Sequence, residues 1–340
     1  IDVDRNTEAT LRILVPSTDG GQEEMYIKAL EPGFKEMFPN VTIEYDRRAI
    51  SDDKYVESIS SAIASGEVPD LFYANTVFYY YLVSQNCIIS LEPYYAAEAD
   101  RYNTTGGQEG LNLDADYYTS FFDMSKYEGN RYVVPRSMDS VVTYYNTEFL
   151  QAAGISLSDE RLVSTEENPF TWDDLVSLCK DVNDFIVSEE GRQAGYGSAY
   201  ALQADFDWEA EEIKESFNAV PFPLIGENAK IGCGFAGWGI SSTADDTTRD
   251  IAWQFLKYMI SREGQMALIN AGLATPSIRI DLAEEKQWSK GYEDLNLDAW
   301  LQWEEYKVSS KFFVNQDPSA TFDILSALQT FMRNLVDPTL

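Results

Sequence analysis

Apolar positions along the chain switch between short unbroken runs and helical spacings. Leu11-Arg12-Ile13-Leu14-Val15 is an apolar run ended by Pro16, which predicts a buried strand. A turn at Ser17-Thr18-Asp19-Gly20-Gly21 follows, and then Tyr26, Leu30, Phe34 and Phe38 recur on one helical face, predicting an amphipathic helix over 22–38. Pro39-Asn40 stops it, and Val41-Thr42-Ile43-Glu44-Tyr45 alternates as a strand. Tyr55, Ile59 and Ile63 mark a second helix with Gly66 near its C-cap, and Val68 to Tyr73 reads as a third strand. This strand–helix–strand–helix–strand rhythm predicts an α/β layer with a parallel sheet.

Residues 1–9 are polar and read as a tether, and residues 98–128 as a polar surface excursion containing Gly106-Gly107. Strands are expected at Tyr132 to Pro135 and Val141 to Tyr145, and a short helix from Thr147 closing at Ala153-Gly154. Thr171 and Asp174 have the spacing of a capping box, opening a helix that carries Leu175, Leu178 and Val182. Ile251, Phe255, Met259 and Ile260 define another helix, with Asp245, Asp246 and Thr247 as N-cap candidates. Residues 296–308 and 320–335 also read as helical. There is no internal repeat.

Charge narrows the function. Lys plus Arg number 25 against 57 Asp plus Glu, a formal net charge of −32 in 340 residues. So acidic a chain repels phosphate backbones, which excludes general nucleic-acid binding, and it does not dock on anionic lipid through its own charge. Histidine is absent, which removes His-based nucleophile systems and the commonest transition-metal ligand. Cys87, Cys179 and Cys233 are widely spaced, without a C-x-x-C, and read as buried apolar residues. No cofactor is expected. No apolar run approaches the length of a membrane span. The chain opens Ile1-Asp2-Val3-Asp4 without Met and so reads as a mature or trimmed product, in which a removed leader or lipid anchor would be invisible.

Gly232-Cys233-Gly234-Phe235-Ala236-Gly237 matches G-x-G-x-x-G, but no helix opens at these glycines as a dinucleotide site requires. The better reading is a loop of close backbone approach presenting Trp238. Ser177 to Lys180 matches S-x-x-K without its companion motifs and reads as ordinary helix. Asn40-Val41-Thr42 and Asn103-Thr104-Thr105 fit the glycosylation pattern, which is common by chance. The positive signal is aromatic: 21 Tyr, 18 Phe and 7 Trp, several beside carboxylates at turn positions, as in Ala204-Asp205-Phe206-Asp207-Trp208. A ring can cover the apolar C–H face of a sugar while a carboxylate accepts from its hydroxyls.

Several blocks in order carry a family resemblance. Gly66-Glu67-Val68-Pro69-Asp70-Leu71 is followed by Gly129-Asn130-Arg131-Tyr132-Val133-Val134-Pro135-Arg136 and then Tyr144-Tyr145-Asn146, with a helix ending Ala153-Gly154-Ile155. Pro169-Phe170-Thr171-Trp172-Asp173-Asp174-Leu175, Gly237-Trp238-Gly239-Ile240, Ala252 to Tyr258 and Gly272 to Pro276 complete the set. Over about residues 11–280 the chain resembles family 1 extracellular solute-binding proteins of bacterial ABC importers, of the carbohydrate type. The resemblance implies a two-lobed α/β, periplasmic-binding-protein-like (type II) fold with a hinge and ligand in the inter-lobe cleft. It implies residues 10–135 mainly in the first lobe, 136–245 mainly in the second, and 246–340 as helices returning across the hinge. It further implies a non-catalytic monomer, periplasmic or a cell-surface lipoprotein, that binds a mono- or oligosaccharide and delivers it to the permease subunits by hinge closure.

The matched positions give the expected ligand set. Ser17, Thr18 and Asp19 follow the first strand; Asn75 and Tyr79 follow the third; Arg136 and Asp139 lie after the hinge-strand proline. Asp205, Asp207 and Trp208 follow, and Phe235 and Trp238 come from the glycine turn. Trp208 and Trp238 are expected as stacking platforms, Asp19, Asp139 and Asp207 as acceptors, and Arg136 as a donor or else as half of a structural ion pair. The second lobe departs from the family pattern in being short near 205–217. Two other classes remain open: a carbohydrate-cleaving enzyme using a carboxylate pair, which needs no histidine, and a receptor for a non-sugar solute such as a polyamine or peptide.

Overall fold

The computed structural model describes residues 2–16, 21–48, 54–199, 201, 216–226 and 229–309. The elements run β1 (Ala9–Pro16), α1 (Gln22–Met37), β2 (Val41–Arg48), α2 (Tyr55–Ser65), β3 (Leu71–Asn75), α3 (Tyr79–Ser84), α4 (Glu92–Thr104), α5 (Leu113–Asp116) and α6 (Thr119–Asp123). Three two-residue strands follow, β4 (Lys126–Tyr127), β5 (Asn130–Arg131) and β6 (Val134–Pro135). Then come β7 (Val142–Asn146), α7 (Thr147–Ala152), α8 (Trp172–Val187), α9 (Glu189–Gln193), β8 (Phe217–Pro221), β9 (Ile231–Cys233) and β10 (Ala236–Ile240). The last are α10 (Asp246–Ile260), α11 (Arg262–Asn270), α12 (Ile280–Glu285), α13 (Asp298–Leu301) and β11 (Lys307–Ser309).

The chain divides into two compact units. Unit 1 comprises Ile1–Asp139, Cys233–Trp288 and Val308–Leu340; unit 2 comprises Ser140–Gly232 and Ser289–Lys307. Residues 233–245, grouped by the sequence with the second lobe, thus belong to unit 1, because β10 lies in its sheet.

That sheet has the order β2-β1-β3-β10-β6. β1 runs parallel to β2, in register from Ala9 opposite Val41 to Pro16 opposite Arg48, and parallel to β3. Leu11, Ile13, Leu14 and Val15 are all fully buried. A strand covered on both faces reads as an unbroken apolar run, which is why β1 was legible. Asp70 clamps the sheet: its Oδ2 accepts from Arg12 N at 2.8 Å and its carbonyl from Ser241 N at 2.8 Å. Phe34 of α1 meets Phe255 of α10 edge-on at 5.0 Å.

Residues 98–128 are not a surface excursion. α4 and α6 lie there, with Tyr117, Phe121 and Phe122 buried. The inner face of α4 uses Tyr94 and Tyr95, whose rings lie 5.0 and 5.1 Å from Trp253, and Glu98, which is fully buried. Glu98 accepts from Trp253 Nε1 at 3.2 Å and Lys257 Nζ at 2.7 Å, so a polar letter serves as a core position.

In unit 2, β7 and β8 pair antiparallel from Val142 opposite Pro221 to Asn146 opposite Phe217. Leu150, Phe170, Leu178, Val182 and Val220 form its core, and Phe149 stacks on Tyr196 at 4.7 Å. The capping box of α8 is present, Thr171 Oγ1 accepting from Asp174 N at 3.2 Å and Asp174 Oδ2 from Thr171 N at 2.9 Å. Residues 296–308 are only partly helical: α13 is short, a 3-10 turn covers Glu304–Tyr306, and β11 pairs with β9. Residues 320–335 lie outside the described residues. Cys87 and Cys233 are buried and Cys179 is half-buried.

The glycine-rich segment is strand, not loop. β10 runs antiparallel to both β3 and β6, with Gly237 opposite Ala74 and Pro135. A Cβ on Gly237 would lie 2.0 Å from the carbonyl oxygen of Val134. Gly237→Ala is therefore expected to destabilise the protein by on the order of 3 kcal/mol, by prising β6 from β10. Urea denaturation checks this; an unchanged midpoint would mean that β6 is free to move away.

Candidate functional site

The strand directions of unit 1 collect side chains at one end of its sheet. β1 and β3 are parallel, so Pro16 and Asn75 end their strands on the same edge. β10 is antiparallel, and its first residue, Ala236, pairs with Asn75. β6 ends beside Gly237 and leads into residues 136–139. The carboxyl edge of an open α/β sheet is where such folds bind ligands, because loops diverge there.

Asn75, Thr76, Asp139 and Gly234 meet at this edge. Asn75 Oδ1 accepts from the backbone N–H groups of Val77 and Phe78 at 2.9 and 3.0 Å, which fixes its amide. Thr76 Oγ1 accepts from Phe235 N at 2.8 Å, while Thr76 N donates to Phe235 O at 3.1 Å. Asp139 bridges to Gly234, whose N–H donates to the Asp139 carbonyl at 3.3 Å. A Cβ on Gly234 would stand 3.1 Å from Thr76 Oγ1 and 3.8 Å from Asp139 Oδ2, so both oxygens converge on this glycine. Burial raises the Asp139 carboxyl above its ordinary range, although the Arg136 charge and the Ser137 hydroxyl pull it down.

The other expected residues of unit 1 fall differently. Arg136 grips Glu23 with Nε and Nη2, at 2.6 to 3.0 Å, and lies 5.7 Å from the Tyr26 ring. Burial opposes the guanidinium charge, and Glu23 more than offsets that, so the Arg136 pKa is raised. Arg136 is therefore the ion-pair alternative and not a ligand donor; it ties the start of α1 to the 136–139 segment. Tyr79 is 1% exposed, its hydroxyl pushed up to about 12 by burial, and its ring packs 5.5 Å from the buried Phe235. Trp238 is fully buried, donates Nε1–H to Leu14 O at 2.9 Å and meets Tyr73 edge-on at 5.6 Å. The stacking role expected for Trp238 is corrected on this geometry, since neither ring face is open; Tyr79 and Phe235 likewise act as interior support. Ser17, Thr18, Asp19, Asp205, Asp207 and Trp208 lie outside the described residues.

Unit 2 holds an aromatic group that the sequence reading missed. Trp300, half-buried, meets Tyr144 at 5.8 Å, and Trp303 meets Tyr306 at 6.0 Å. Trp303 sits in the left-handed region at φ 66°, strained for so bulky a residue, and its buried Nε1 has no hydrogen-bond partner among the described residues. Gln302 Oε1 is in the same condition, while its Nε2 donates to Ser164 O at 3.0 Å. Lys307 Nζ ties the segment down, donating to Trp300 O at 2.7 Å and Ser140 Oγ at 3.2 Å. The available signal was the Trp300-x-x-Trp303-x-x-Tyr306 spacing.

Among the described residues no group of His, Cys, Asp or Glu could hold a metal ion, and no helix is long and apolar enough to cross a membrane.

Two substitutions probe the unit 1 edge. Glu23→Gln leaves a buried guanidinium without its counter-charge and is expected to cost about 3–5 kcal/mol in urea unfolding. A loss under 1 kcal/mol, as for exposed pairs, would mean that water reaches the pair. For Asp139 the folded pKa is raised, so the ionised carboxyl disfavours folding; this penalty is absent below the unfolded value near 3.8 and appears as pH rises through the folded value. Asp139→Asn is thus expected to be more stable than the parent at pH 7, an advantage that fades below about pH 4. Melting curves at both pH values decide, and the reverse ordering would contradict the assignment.

The model of the family described as bacterial extracellular solute-binding protein matches residues 16–185, half of the chain. No curated protein matches. Among solved structures, UgpB from Mycobacterium tuberculosis in complex with glycerophosphocholine aligns at a TM-score of 0.60 and 15% identity, covering 97% of this chain and 100% of that one. An ABC substrate-binding protein from Listeria monocytogenes in complex with cycloalternan gives 0.55 and 15%, covering 96% and 99%. The GacH receptor of Streptomyces glaucescens, solved unliganded and with acarbose, gives 0.56 and 14%, covering 95% and 99%. At these identities the likeness shows the fold.

Proposed function

We propose, because the chain belongs to the bacterial extracellular solute-binding protein family, that it is a non-catalytic carbohydrate receptor, binding an oligosaccharide and delivering it to the permease of an ABC importer. The single observation that carries this reading is the convergence of Thr76 and Asp139 on Gly234 at the carboxyl edge of the unit 1 sheet, where Asn75 ends β3. An amide, a hydroxyl and a carboxylate fixed on backbone supports are the donors and acceptors that sugar hydroxyls require. Within unit 2, the half-buried Trp300 beside Tyr144 is the aromatic candidate. Ser17, Thr18, Asp19, Asp205, Asp207 and Trp208 stay in the proposed ligand set on the family resemblance alone. Relatives of the fold hold cycloalternan and acarbose, which supports a sugar cargo.

A phosphate-bearing cargo such as the glycerophosphocholine of UgpB is favoured less, since Arg136 at the unit 1 edge is committed to Glu23. In this reading the protein works as a monomer, free in the periplasm or held at the cell surface by a lipid anchor.

Thermal unfolding against neutral mono- and oligosaccharides, putrescine and short peptides tests the proposal. A cognate sugar at 100 times its dissociation constant is expected to stabilise the fold by about 2.7 kcal/mol. A response confined to putrescine or a peptide would overturn the carbohydrate assignment.

A further inference from the structure

A surface hollow of about 440 Å³ lies on unit 1, away from the sheet edge described above. One face of α4 forms its floor and side: Glu92, Tyr95, Ala96, Ala99, Tyr102 and Asn103 follow helical spacing. The segment Leu111 to Asp114 forms the opposite wall, and Arg131 closes one end. None of these residues belongs to the sheet-edge group or the unit 2 aromatic group described above.

Charge excludes two ligand classes. Arg131 is divided between Glu92, at 3.1 and 3.2 Å, and Asp123, at 2.8 Å. No spare cation therefore faces an anion. The acidic side is also nearly balanced, because Lys126 pairs with Asp123 at 2.7 Å, leaving Asp114 as the one lining carboxylate outside this network. What the walls offer are the amide of Asn103, the Nδ2 donor of Asn112, whose Oδ1 caps α5 by accepting from Ala115 N at 3.3 Å, and the hydroxyls of Tyr95 and Tyr102. The Ala96 and Ala99 floor and the Leu111 and Leu113 flank supply apolar contact. Such a mixture suits a neutral polyhydroxylated ring, whose hydroxyls are donor and acceptor at once and whose C–H face is apolar.

Tyr95 provides the independent pointer. It is 6% exposed, it lines the hollow, and its hydroxyl is buried with no hydrogen-bond partner among the described residues. A buried hydroxyl left unpaired costs free energy that a bound acceptor would recover. Burial holds the phenol protonated, so it acts as a donor.

We propose that this hollow is an accessory carbohydrate site, holding one or two sugar units against α4. The hollow lies wholly within unit 1. It would hold part of a long glycan on the receptor while the main site samples the chain end.

The test is a titration of the isotope-labelled full chain, followed by amide NMR, with glucose, maltose and maltotetraose, and with putrescine as the cationic counter-probe. Sugars are expected to shift the amides of residues 99–103 and 111–114. Tyr95→Phe, which removes a hydroxyl that bonds to nothing in the free protein and so should fold normally, is expected to weaken this binding about tenfold. Ala99→Trp fills the hollow from an exposed helix position and is expected to abolish these shifts while any response around Asn75 and Asp139 persists. Sugar-induced shifts confined to Asn75 and Asp139, or equal affinity in both variants, would overturn the accessory site and leave the proposed function standing. Shifts confined to α4 would keep the accessory site and count against the main one. Putrescine moving α4 where no sugar does would overturn the carbohydrate assignment of the hollow.

Discussion

The strand β10 reaches the sheet of unit 1 only after the chain has passed through the larger segment of unit 2, and the rest of unit 1 depends on its pairing. It lies between β3 and β6, and its indole at Trp238 reaches across to the Leu14 carbonyl, 224 residues earlier in the chain. Three strands from distant parts of the sequence are fastened by one side chain in a place no water reaches. The pairing also sets the site. Phe235 and Thr76 exchange two hydrogen bonds just beyond the end of β3, and Gly234 bridges to Asp139, so the polar groups at the sheet edge are held by sheet backbone and not by loose loops.

The same constraint explains what could be read from the letters and what could not. β1 and β3 announce themselves as unbroken apolar runs and α1, β2 and α2 by a local period, and the Gly66 C-cap is found in the left-handed conformation at φ 72°. The Thr171 capping box is likewise a local device. β10 hides because Gly237 and Gly239 are there for close backbone approach to neighbouring strands, which in sequence looks the same as a loop. α4 hides because its inner face includes Glu98, whose partners Trp253 and Lys257 lie on α10.

The site was legible in the same proportion. Asn75 and Asp139 stand at the end of β3 and shortly after the proline that ends β6, positions marked in the sequence by the resemblance. Whether Arg136 faces a ligand or Glu23 depends on a contact across 113 residues, which no local pattern reveals. Trp238 has a loop-like context and a core environment. Trp300 and Trp303 have a helix-like spacing, yet Trp303 adopts a left-handed backbone that only tertiary structure imposes.

Taken together, the groups at the unit 1 edge suit holding over reacting. Glu23 and Arg136 neutralise each other, Asn75 is locked by its own turn, and Asp139 is held above its ordinary titration range at the edge where a ligand hydroxyl would be offered. The central claim, that this protein binds an oligosaccharide and returns it unaltered, is tested most directly by native mass spectrometry after prolonged incubation with an oligosaccharide mixture. Binding without chemistry gives a one-to-one complex whose released ligand has the mass of an intact input sugar. Shortened sugars accumulating in the mixture, or no complex with any sugar offered, would contradict it.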